Sequence, residues 1–339
     1  MIDILVVGGG PAGLATALYA ACAGLEAVVV EHRPGTLDKA CGEGMMPHTL
    51  AHLDRLGVVA PGQELRGISY HAGAQRVEAT FRGGGVGRGV RRTTLHAAMS
   101  DAARAAGVKF VLGTVGDISQ DANCIRAGQF RARYLVAADG LHSPIRRDLG
   151  LLQPTTGPRR WGIRRHVQMA PWTDKVEVHW SPESEAYVTP VADDCVGIAI
   201  LSAGRGNFES KFAAFEELRQ RVAGYDVGPD RAAGPLRQQV RNRVAGRVLL
   251  VGDAAGYVDA LTGEGMGLAF SGAEALIDCV ARDRVNEYDH QWLRLTRRYR
   301  LLTEALVRSS AHPSVRAALV PAAAVLPKVF AAAVNWLAY

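Results

Sequence analysis

Three glycines near the start of the chain have the spacing of a phosphate-binding turn. Gly8, Gly10 and Gly13 form the pattern G-x-G-x-x-G directly after the apolar run Ile2–Val7. In such a turn the first glycine permits the tight bend and the second lets a pyrophosphate approach the backbone. The third lets a helix pack closely on a strand. The pattern predicts a binding site for the phosphates of a dinucleotide.

The residues around this turn predict the elements that position it. Ile2–Val7 is short and apolar, as expected of a buried parallel strand. Leu14–Ala23 predicts a helix whose N-terminal amides and dipole face the phosphates. Leu25–Val30 predicts a second strand, which ends at Glu31, 18 residues after Gly13. Dinucleotide-binding folds place an acceptor for the ribose hydroxyls there, so we expect Glu31 to contact a ribose.

Two acidic turns follow later segments that also have the composition of strands. Phe130–Ala138 leads into Asp139-Gly140, and Gly246–Val251 leads into Gly252-Asp253. Each turn is common on its own, and the order of the three motifs carries the information. Because carboxylates repel phosphate, we expect these aspartates to contact hydroxyl groups or backbone amides.

In this order and spacing the chain closely resembles a large flavoprotein family that contains the aromatic hydroxylases (class A flavin monooxygenases) and the geranylgeranyl reductases. The resemblance extends from Met1 to about Leu276 and includes the pattern R-x-x-L at Arg92. It implies FAD as the cofactor, with the three glycines on the pyrophosphate and Glu31 on the adenosine ribose.

The same resemblance implies roles for the later motifs. Arg92 is expected at the phosphate or the ribityl chain, Asp139 behind the pyrophosphate, and Asp253 as an acceptor for the ribityl hydroxyls. The turn 263–267 is expected to bring backbone amides to the flavin pyrimidine edge, where a reduced flavin carries negative charge. The residues expected at the cofactor are Gly8, Gly10, Pro11, Ala12, Gly13, Glu31, Arg33, Arg92, Asp139, Asp253, Gly263, Gly265, Met266 and Gly267.

The expected fold is α/β, with a Rossmann-like FAD-binding domain interleaved with an antiparallel-sheet substrate domain and followed by C-terminal helices. We expect the FAD-binding domain over 1–65, 90–150 and 240–286. The substrate domain is expected over 66–89 and 151–239, with an amphipathic helix near 207–223. A separate C-terminal helical segment is expected over 287–339.

Two segments bear on the reaction. Cys41-Gly42-Glu43-Gly44 resembles the cysteine-glycine-acid segment of the geranylgeranyl reductases; the alternative is a small residue in a tight loop. The segment 185–190 keeps the proline of a strand motif in those reductases but lacks its second and third aromatic residues. His48, His142, His166 and His179 are candidates for a general base, and none can be assigned from the sequence. The catalytic residues therefore stay unknown at this point.

We expect an FAD-dependent oxidoreductase, and the leading hypothesis is an NAD(P)H-dependent monooxygenase. It would hydroxylate an apolar, aromatic or lipid-like small molecule through a flavin hydroperoxide. The alternative is a geranylgeranyl-reductase-like enzyme that saturates a prenyl or other alkene double bond. A third hypothesis is a flavin-binding protein without turnover.

Composition excludes some other classes. The net charge is +6, but only five of the 39 basic residues are lysine and no arginine-rich run is interleaved with aromatics, so we expect no nucleic-acid partner. The five cysteines are scattered without a C-x-x-C, which predicts neither a disulfide framework nor a zinc site and fits a cytoplasmic location. The chain starts directly with its first strand, which predicts no signal peptide.

The tail leaves two hypotheses open. From Ala305 to Tyr339 the charged side chains are Arg308, Arg316 and Lys328, among alanine and larger apolar residues, with prolines at 313, 321 and 327. We expect helical segments broken at these prolines. They either pack over the flavin domain or expose an apolar, cationic face to anionic lipid, as a peripheral membrane contact.

Overall fold

The computed structural model describes residues 1–339. The strands are β1 (Ile2–Val7), β2 (Ala27–Glu31), β3 (Gly44–Met45), β4 (Gln63–Leu65), β5 (Gly67–Ala72), β6 (Gln75–Thr80), β7 (Gly87–Gly89), β8 (Lys109–Leu112), β9 (Ile118–Gln120), β10 (Ile125–Ala127), β11 (Phe130–Ala137), β12 (Leu152–Gln153), β13 (Trp161–Val167), β14 (Lys175–Trp180), β15 (Ser184–Ala192), β16 (Cys195–Ser202), β17 (Arg231–Ala233), β18 (Gln239–Val240), β19 (Val244–Ala245) and β20 (Val248–Leu250). The helices are α1 (Pro11–Cys22), α2 (Pro47–Arg55), α3 (Arg92–Ala105), α4 (Pro144–Asp148), α5 (Phe208–Phe212), α6 (Glu216–Val222), α7 (Gly265–Ala281), α8 (Tyr288–Ser310), α9 (Pro313–Val325) and α10 (Pro327–Ala338).

The first sheet is parallel at its centre and holds the predicted nucleotide-binding strands. Its order is β19-β20-β11-β1-β2-β8, with β9 and β10 beside β11. β1, β2, β8, β11 and β20 run parallel, so their carboxyl ends meet at one edge. The strands are nearly continuous apolar runs because helices cover both faces; Leu5, Val29, Leu135 and Leu249 are fully buried. The glycine turn and both acidic turns therefore lie together at this edge.

The second sheet has seven strands in the order β17-β13-β16-β15-β14-β5-β6. Neighbours are antiparallel except β14 and β5, which are parallel. One face points towards the first sheet, and α5 and α6 cover part of the other face. The prediction of one helix near 207–223 is wrong, because the backbone at Phe215 leaves the helical region (φ −121°, ψ 67°). The break lets Phe208, Phe212 and Phe215 all pack against the sheet.

The chain alternates between these sheets. Strands from 67–80, 161–202 and 231–233 form the second sheet, and the first sheet takes its strands from segments before, between and after them. Two small sheets, β3-β7-β4 and β12-β18, also form from the intervening segments. The predicted fold class is confirmed: a Rossmann-like FAD-binding sheet, an antiparallel substrate sheet and C-terminal helices. The predicted domain boundaries stay predictions.

The C-terminal helices have two different partners. α8 packs on α7 of the first layer, whereas α9 and α10 pack on β5 and β6 of the second sheet. Packing over the flavin domain alone, one of the two hypotheses for the tail, thus describes α8. α9 and α10 pack mainly on the second sheet, and α10 contacts the first layer where the Ala338 carbonyl meets His48 of α2. Pro321 lies within α9 and does not break it. Proline donates no backbone hydrogen bond, so the carbonyl of Ala317 loses its helical partner. Ala317 is exposed, and water can replace that partner.

The structure contains no single helix that is long and apolar enough to cross a membrane. α9 and α10 meet that test jointly by length and composition, and they are bent by 103° at their junction.

Candidate active site

The glycine turn joins β1 to α1 by close backbone packing. Gly8 has φ +110°, and a Cβ atom there would lie 2.3 Å from the carbonyl oxygen of Ala138. A Cβ atom on Gly13 would lie 1.9 Å from the Gly8 carbonyl oxygen, so Gly13 keeps the helix against the strand. At Gly10 the nearest atom is Arg92 Nη2 at 3.7 Å. The second glycine therefore faces open space, as a phosphate requires.

The start of α1 can bind an anion. Gly10 precedes the helix and supplies no side-chain cap, so the first amides of α1 have no side-chain partner. The Arg92 guanidinium lies beside Gly10, and its Nε is buried without a hydrogen-bond partner. Lys39 lines the same space, and burial lowers its pKa. This donor set fits the pyrophosphate of FAD.

Glu31 ends β2 beside the turn. Its Oε2 accepts a hydrogen bond from the Gly9 amide (2.8 Å), and its Oε1 accepts one from the Arg33 amide (2.9 Å). Burial works against the charged form, but these two bonds outweigh it and lower the pKa of Glu31. Its contact with a ribose stays a prediction.

The two acidic turns are joined by Arg146, a residue to which the sequence analysis assigned no role. Arg146 is 1% exposed and donates to the carbonyl oxygens of Asp253 (3.1 Å) and Leu141 (2.7 Å). Asp139 Oδ2 accepts from the Ile145 amide (3.2 Å), and burial raises the pKa of Asp139. The pattern D-G-x-x-S-x-x-R thus fixes both turns relative to each other.

A cavity of about 270 Å³ lies between this edge and the inner face of the second sheet. Eight predicted cofactor residues line it, namely Gly10, Pro11, Ala12, Arg92, Asp253, Gly263, Gly265 and Met266. The other six lie around it and not on its wall: Gly8, Gly13, Glu31, Arg33, Asp139 and Gly267. Gly267 packs against α2, where a Cβ atom would lie 2.3 Å from His48 Nε2. The wall also contains apolar side chains from the second sheet and nearby loops, including Val176, Leu201 and Leu236.

A second region of the cavity wall, joined to the glycine turn through Arg92, contains a buried charged network. Glu43 is 1% exposed with φ +61°, a backbone conformation that is strained for a residue with a side chain. Its Oε2 pairs with His166 Nε2 (2.6 Å), and its Oε1 accepts from the Arg92 amide (2.7 Å). The segment around Cys41 is thereby tied to β13 and to the start of α3.

Three groups on the cavity wall carry dissociable protons beside this network. Burial raises the pKa of the Cys41 thiol and raises the pKa of Tyr187 and Tyr257 well above the ordinary value. The Tyr187 hydroxyl donates to the Leu261 carbonyl oxygen at 2.9 Å. All three groups stay protonated near neutral pH and can act as proton donors.

No histidine lines the cavity. His142 is exposed, and His179 lies on the opposite face of the second sheet. His48, in the first turn of α2, lies between Glu264 (3.1 Å) and the carbonyl oxygen of Ala338. Burial opposes the charge of His48, but the bond to Glu264 outweighs this and raises the pKa of His48. His166 contacts the cavity through Glu43. None of the four candidate bases is therefore placed against a substrate.

Comparison with known proteins agrees with this architecture. A menaquinone reductase of Mycolicibacterium smegmatis is 29% identical over 329 residues, covering 86% of this chain and 79% of that protein. A chloroplastic geranylgeranyl diphosphate reductase of Oryza sativa is 28% identical, covering 84% of this chain and 67% of that protein. A flavoprotein/dehydrogenase crystal structure from Cytophaga hutchinsonii superposes with a TM-score of 0.79 at 17% identity, covering 99% of this chain and 95% of that one. The model of the family described as FAD binding domain matches residues 1–283, and the chain belongs to that family of FAD-dependent oxidoreductases.

Proposed function

We propose that this protein is an FAD-dependent reductase that saturates a carbon–carbon double bond in a prenyl-type lipid. The observation that carries the proposal is the cavity wall, which is largely apolar, contains three protonated donors and lacks a histidine base. An alkene needs no base to activate it, and it needs a hydride at one carbon and a proton at the other. The two relatives named above are reductases, and menaquinone and geranylgeranyl diphosphate both carry prenyl chains. Hydroxylation, the leading hypothesis from the sequence, has less support.

Each part of the site has a task in this reaction. The α1 amides, Arg92 and Lys39 hold the FAD pyrophosphate, and Asp253 accepts from the ribityl hydroxyls. Bound FAD, once reduced, supplies the hydride equivalent. The apolar wall excludes water and aligns the prenyl chain. The Cys41 thiol or the Tyr257 hydroxyl gives the proton to the second carbon. Solvent then returns a proton to the donor group.

Oxygen dependence distinguishes the two reactions. Purified protein is reduced chemically under anaerobic conditions and mixed with geranylgeranyl diphosphate or a menaquinone. We expect a product heavier by two hydrogen atoms, formed equally well without oxygen. A product that gains one oxygen atom and forms only in air would establish the monooxygenase instead. Flavin that binds but gives neither product with any prenyl or aromatic compound would favour the flavin-binding protein without turnover.

We propose NAD(P)H as the transient reductant. A cleft of about 520 Å³ adjoins the Asp253 turn on the side of α8, and five arginines line it against two acids, Asp253 and Glu304. Arg297 and Arg300 of this set form no ion pair, which suits them to the phosphates of a dinucleotide. The paired substitution Arg297→Gln and Arg300→Gln is expected to slow flavin reduction by NAD(P)H, whereas Arg294→Gln, outside the cleft on the same helix, leaves the rate unchanged. Equal rates in all three proteins would refute this site.

A membrane contact is proposed at the α9–α10 corner, defined as residues 325–329. Val325, Leu326 and Val329 are 78%, 55% and 62% exposed, and Lys328 is exposed beside them. The opposite side of these helices is buried on β5 and β6. Arg316 does not contribute to the cationic face, because it is buried and paired with Glu185 (2.7 Å). An apolar corner with an adjacent lysine suits the interface of an anionic membrane, from which a prenyl lipid would be drawn.

Vesicle co-sedimentation tests this contact in the full chain. The double variant Leu326→Glu and Val329→Glu is expected to abolish binding to anionic vesicles, and Val59→Glu, a change at another exposed valine, should leave binding intact. Truncation of the tail is unsuitable as a test because it would uncover the second sheet. If the wild-type protein stays in the supernatant at every lipid composition, the corner does not contact membranes.

A further inference from the structure

Three potential metal ligands meet on the outer face of the second sheet, away from the flavin cavity. Glu177 and His179 are two residues apart on β14, so strand alternation places both on one face. His71 lies on the neighbouring parallel strand β5 and is paired in register with His179. Val176 and Val178 point to the other face, where α9 and α10 pack. The sheet itself therefore holds the three side chains together.

The ligand atoms are close and buried. One nitrogen from each histidine and one carboxylate oxygen all lie within 4.8 Å of one another. His71, Glu177 and His179 are 6–8% exposed. His179 Nε2 and Glu177 Oε2 are 2.9 Å apart, so small rotations of the side chains bring the atoms to the spacing of a common ion.

Neighbouring groups orient these ligands. His71 Nε2 is hydrogen-bonded to Ser69 Oγ, and His71 Nδ1 is buried without a partner. If Nε2 carries the proton and donates to Ser69, the lone pair of Nδ1 is free to bind a cation. Glu177 Oε1 accepts from Trp172 Nε1 (3.1 Å), so that Oε2 and its partner His179 Nε2 bind the ion when the ion replaces the proton they share. Both arrangements are typical of the hydrogen bonds that support metal ligands.

We propose that His71, Glu177 and His179 bind a divalent transition-metal ion, with Zn²⁺ as the ion that best fits two imidazoles and one carboxylate. A cleft of about 710 Å³, lined by His71 and Glu177, gives ions a path to the site and leaves a fourth position for water. Two cations of the cleft are paired with acids, Arg76 with Glu217 and Lys175 with Asp174 and Glu78. The third, Arg221, lies over the Trp172 ring. The ion would join β5 to β14 and to the loop that carries Trp172.

The spacing of the cysteines predicts no metal site, and it carries no information about histidine ligands. Glu177-x-His179 is a short pattern, and its partner His71 is 106 residues away from Glu177 in the chain. The parallel pairing of β5 with β14 supplies the third ligand, and that pairing has no signal in the sequence.

The test uses the purified FAD-bound protein after treatment with a chelator. Calorimetric titration with Zn²⁺ is expected to give one site per chain, and Co²⁺ is expected to give a tetrahedral ligand-field spectrum at wavelengths beyond the flavin bands. Substitution of a residue that hydrogen-bonds to a metal ligand typically weakens binding by roughly 10–100-fold. His71→Gln and His179→Gln each remove a ligand and should weaken Zn²⁺ binding by more than that. Glu78→Gln changes another side chain of the same cleft that is not a ligand, and this variant should bind Zn²⁺ as tightly as the wild type.

FAD content, measured in every variant, confirms that the chain is folded. Absence of a single site in the wild-type protein would overturn the proposal, whatever the variants do. Equal binding in the wild type and both histidine variants would also overturn it and would leave the three residues as a hydrogen-bonded cluster.

Discussion

Two regions of the cavity wall are held in place by different kinds of interaction, the nucleotide end by backbone packing and the region around Cys41 by buried charges. At the nucleotide end, backbone atoms of Gly8 and Gly13 touch each other and Ala138, and the anion site consists largely of amides. In the region around Cys41, which we propose to be the reacting end, the position of Cys41 depends on a buried carboxylate, Glu43, which is hydrogen-bonded to β13 and α3. Close backbone packing is disrupted by any added side-chain atom, but it does not depend on pH. A buried charged network joins distant segments, and it is weakened more by removal of a charge than by a small change in side-chain shape.

The largest expected effects separate two glycines of one turn. Gly13→Ala drives a Cβ atom into the Gly8 carbonyl, so we expect destabilisation at or above the upper end of the roughly 1–3 kcal/mol typical of overpacking. Gly10→Val meets no protein atom closely and should leave the fold intact while it abolishes FAD retention. Urea unfolding and flavin absorbance measure the two effects. Stoichiometric FAD in a folded Gly10→Val protein would place the phosphates elsewhere.

Glu43 tests the reacting end. Glu43→Ala leaves His166, the Arg92 amide and the buried Arg164 guanidinium (3.9 Å from Glu43 Oε1) without their partner. Loss of one member of a buried ion pair costs about 3–5 kcal/mol. Glu43→Gln keeps an acceptor at the same place and is expected to cost less. Glu217→Gln, at an exposed pair with Arg76, serves as the control and should change the free energy of unfolding by about 1 kcal/mol or less. Equal free energies of unfolding for the wild type, Glu43→Ala and Glu43→Gln would show that this network does not hold the reacting end in place.

One histidine makes the support of the nucleotide end sensitive to pH. Burial and the nearby Arg55 lower the pKa of His52 to about 4, and its ring contacts the Tyr19 hydroxyl (2.7 Å) and Ser271 Oγ (3.0 Å). In the unfolded chain the pKa of His52 is near 6.5, so the unfolded chain binds the proton more tightly than the folded one. The stabilising contribution of neutral His52 to the free energy of unfolding is therefore complete above pH 6.5 and is lost as the pH falls towards 4. The loss is on the order of 3 kcal/mol.

The measurement is the free energy of unfolding between pH 7 and pH 4 in the wild type and in His52→Gln. The variant should have the flatter profile. Parallel profiles would mean that His52 titrates normally in the folded protein.

The smallest expected effect is at Asp253. No protein side chain donates to its carboxylate, whereas its backbone carbonyl is held by Arg146, so the side chain can be changed without loss of the turn. Asp253→Ala is expected to remove a charge-assisted hydrogen bond of about 1.5–3 kcal/mol and to weaken FAD binding roughly 10- to 150-fold. Fluorescence titration of the flavin-free protein measures the dissociation constant. An unchanged constant would place Asp253 away from the ribityl chain.

The nucleotide end could be predicted from the sequence because its chemistry is local. One strand, one turn and one helix determine where Gly8, Gly10 and Gly13 lie, and Glu31 follows at a fixed distance along the chain. The fold class followed from the same patterns. Lys39 and Arg146, by contrast, act through contacts with segments more than a hundred residues away, and no spacing marks them.

The reacting end could be predicted only in part. The segment from Cys41 to Gly44 was recognised by its resemblance, but its contact with His166 depends on how the second sheet docks on the first. The position of Gly267 against α2 and the packing of α9 and α10 on β5 and β6 also depend on how distant elements dock, so they could not be predicted from the sequence. Apolar helix faces indicate that a helix is buried without indicating on which layer.

The most direct test of the central claim is a single turnover without oxygen. Enzyme whose FAD has been reduced is mixed rapidly with geranylgeranyl diphosphate, and in parallel with its fully saturated analogue. The account predicts that the flavin is reoxidised by the unsaturated compound alone, with one double bond lost per flavin. Flavin that stays reduced with both compounds and is reoxidised only when oxygen is admitted would contradict it.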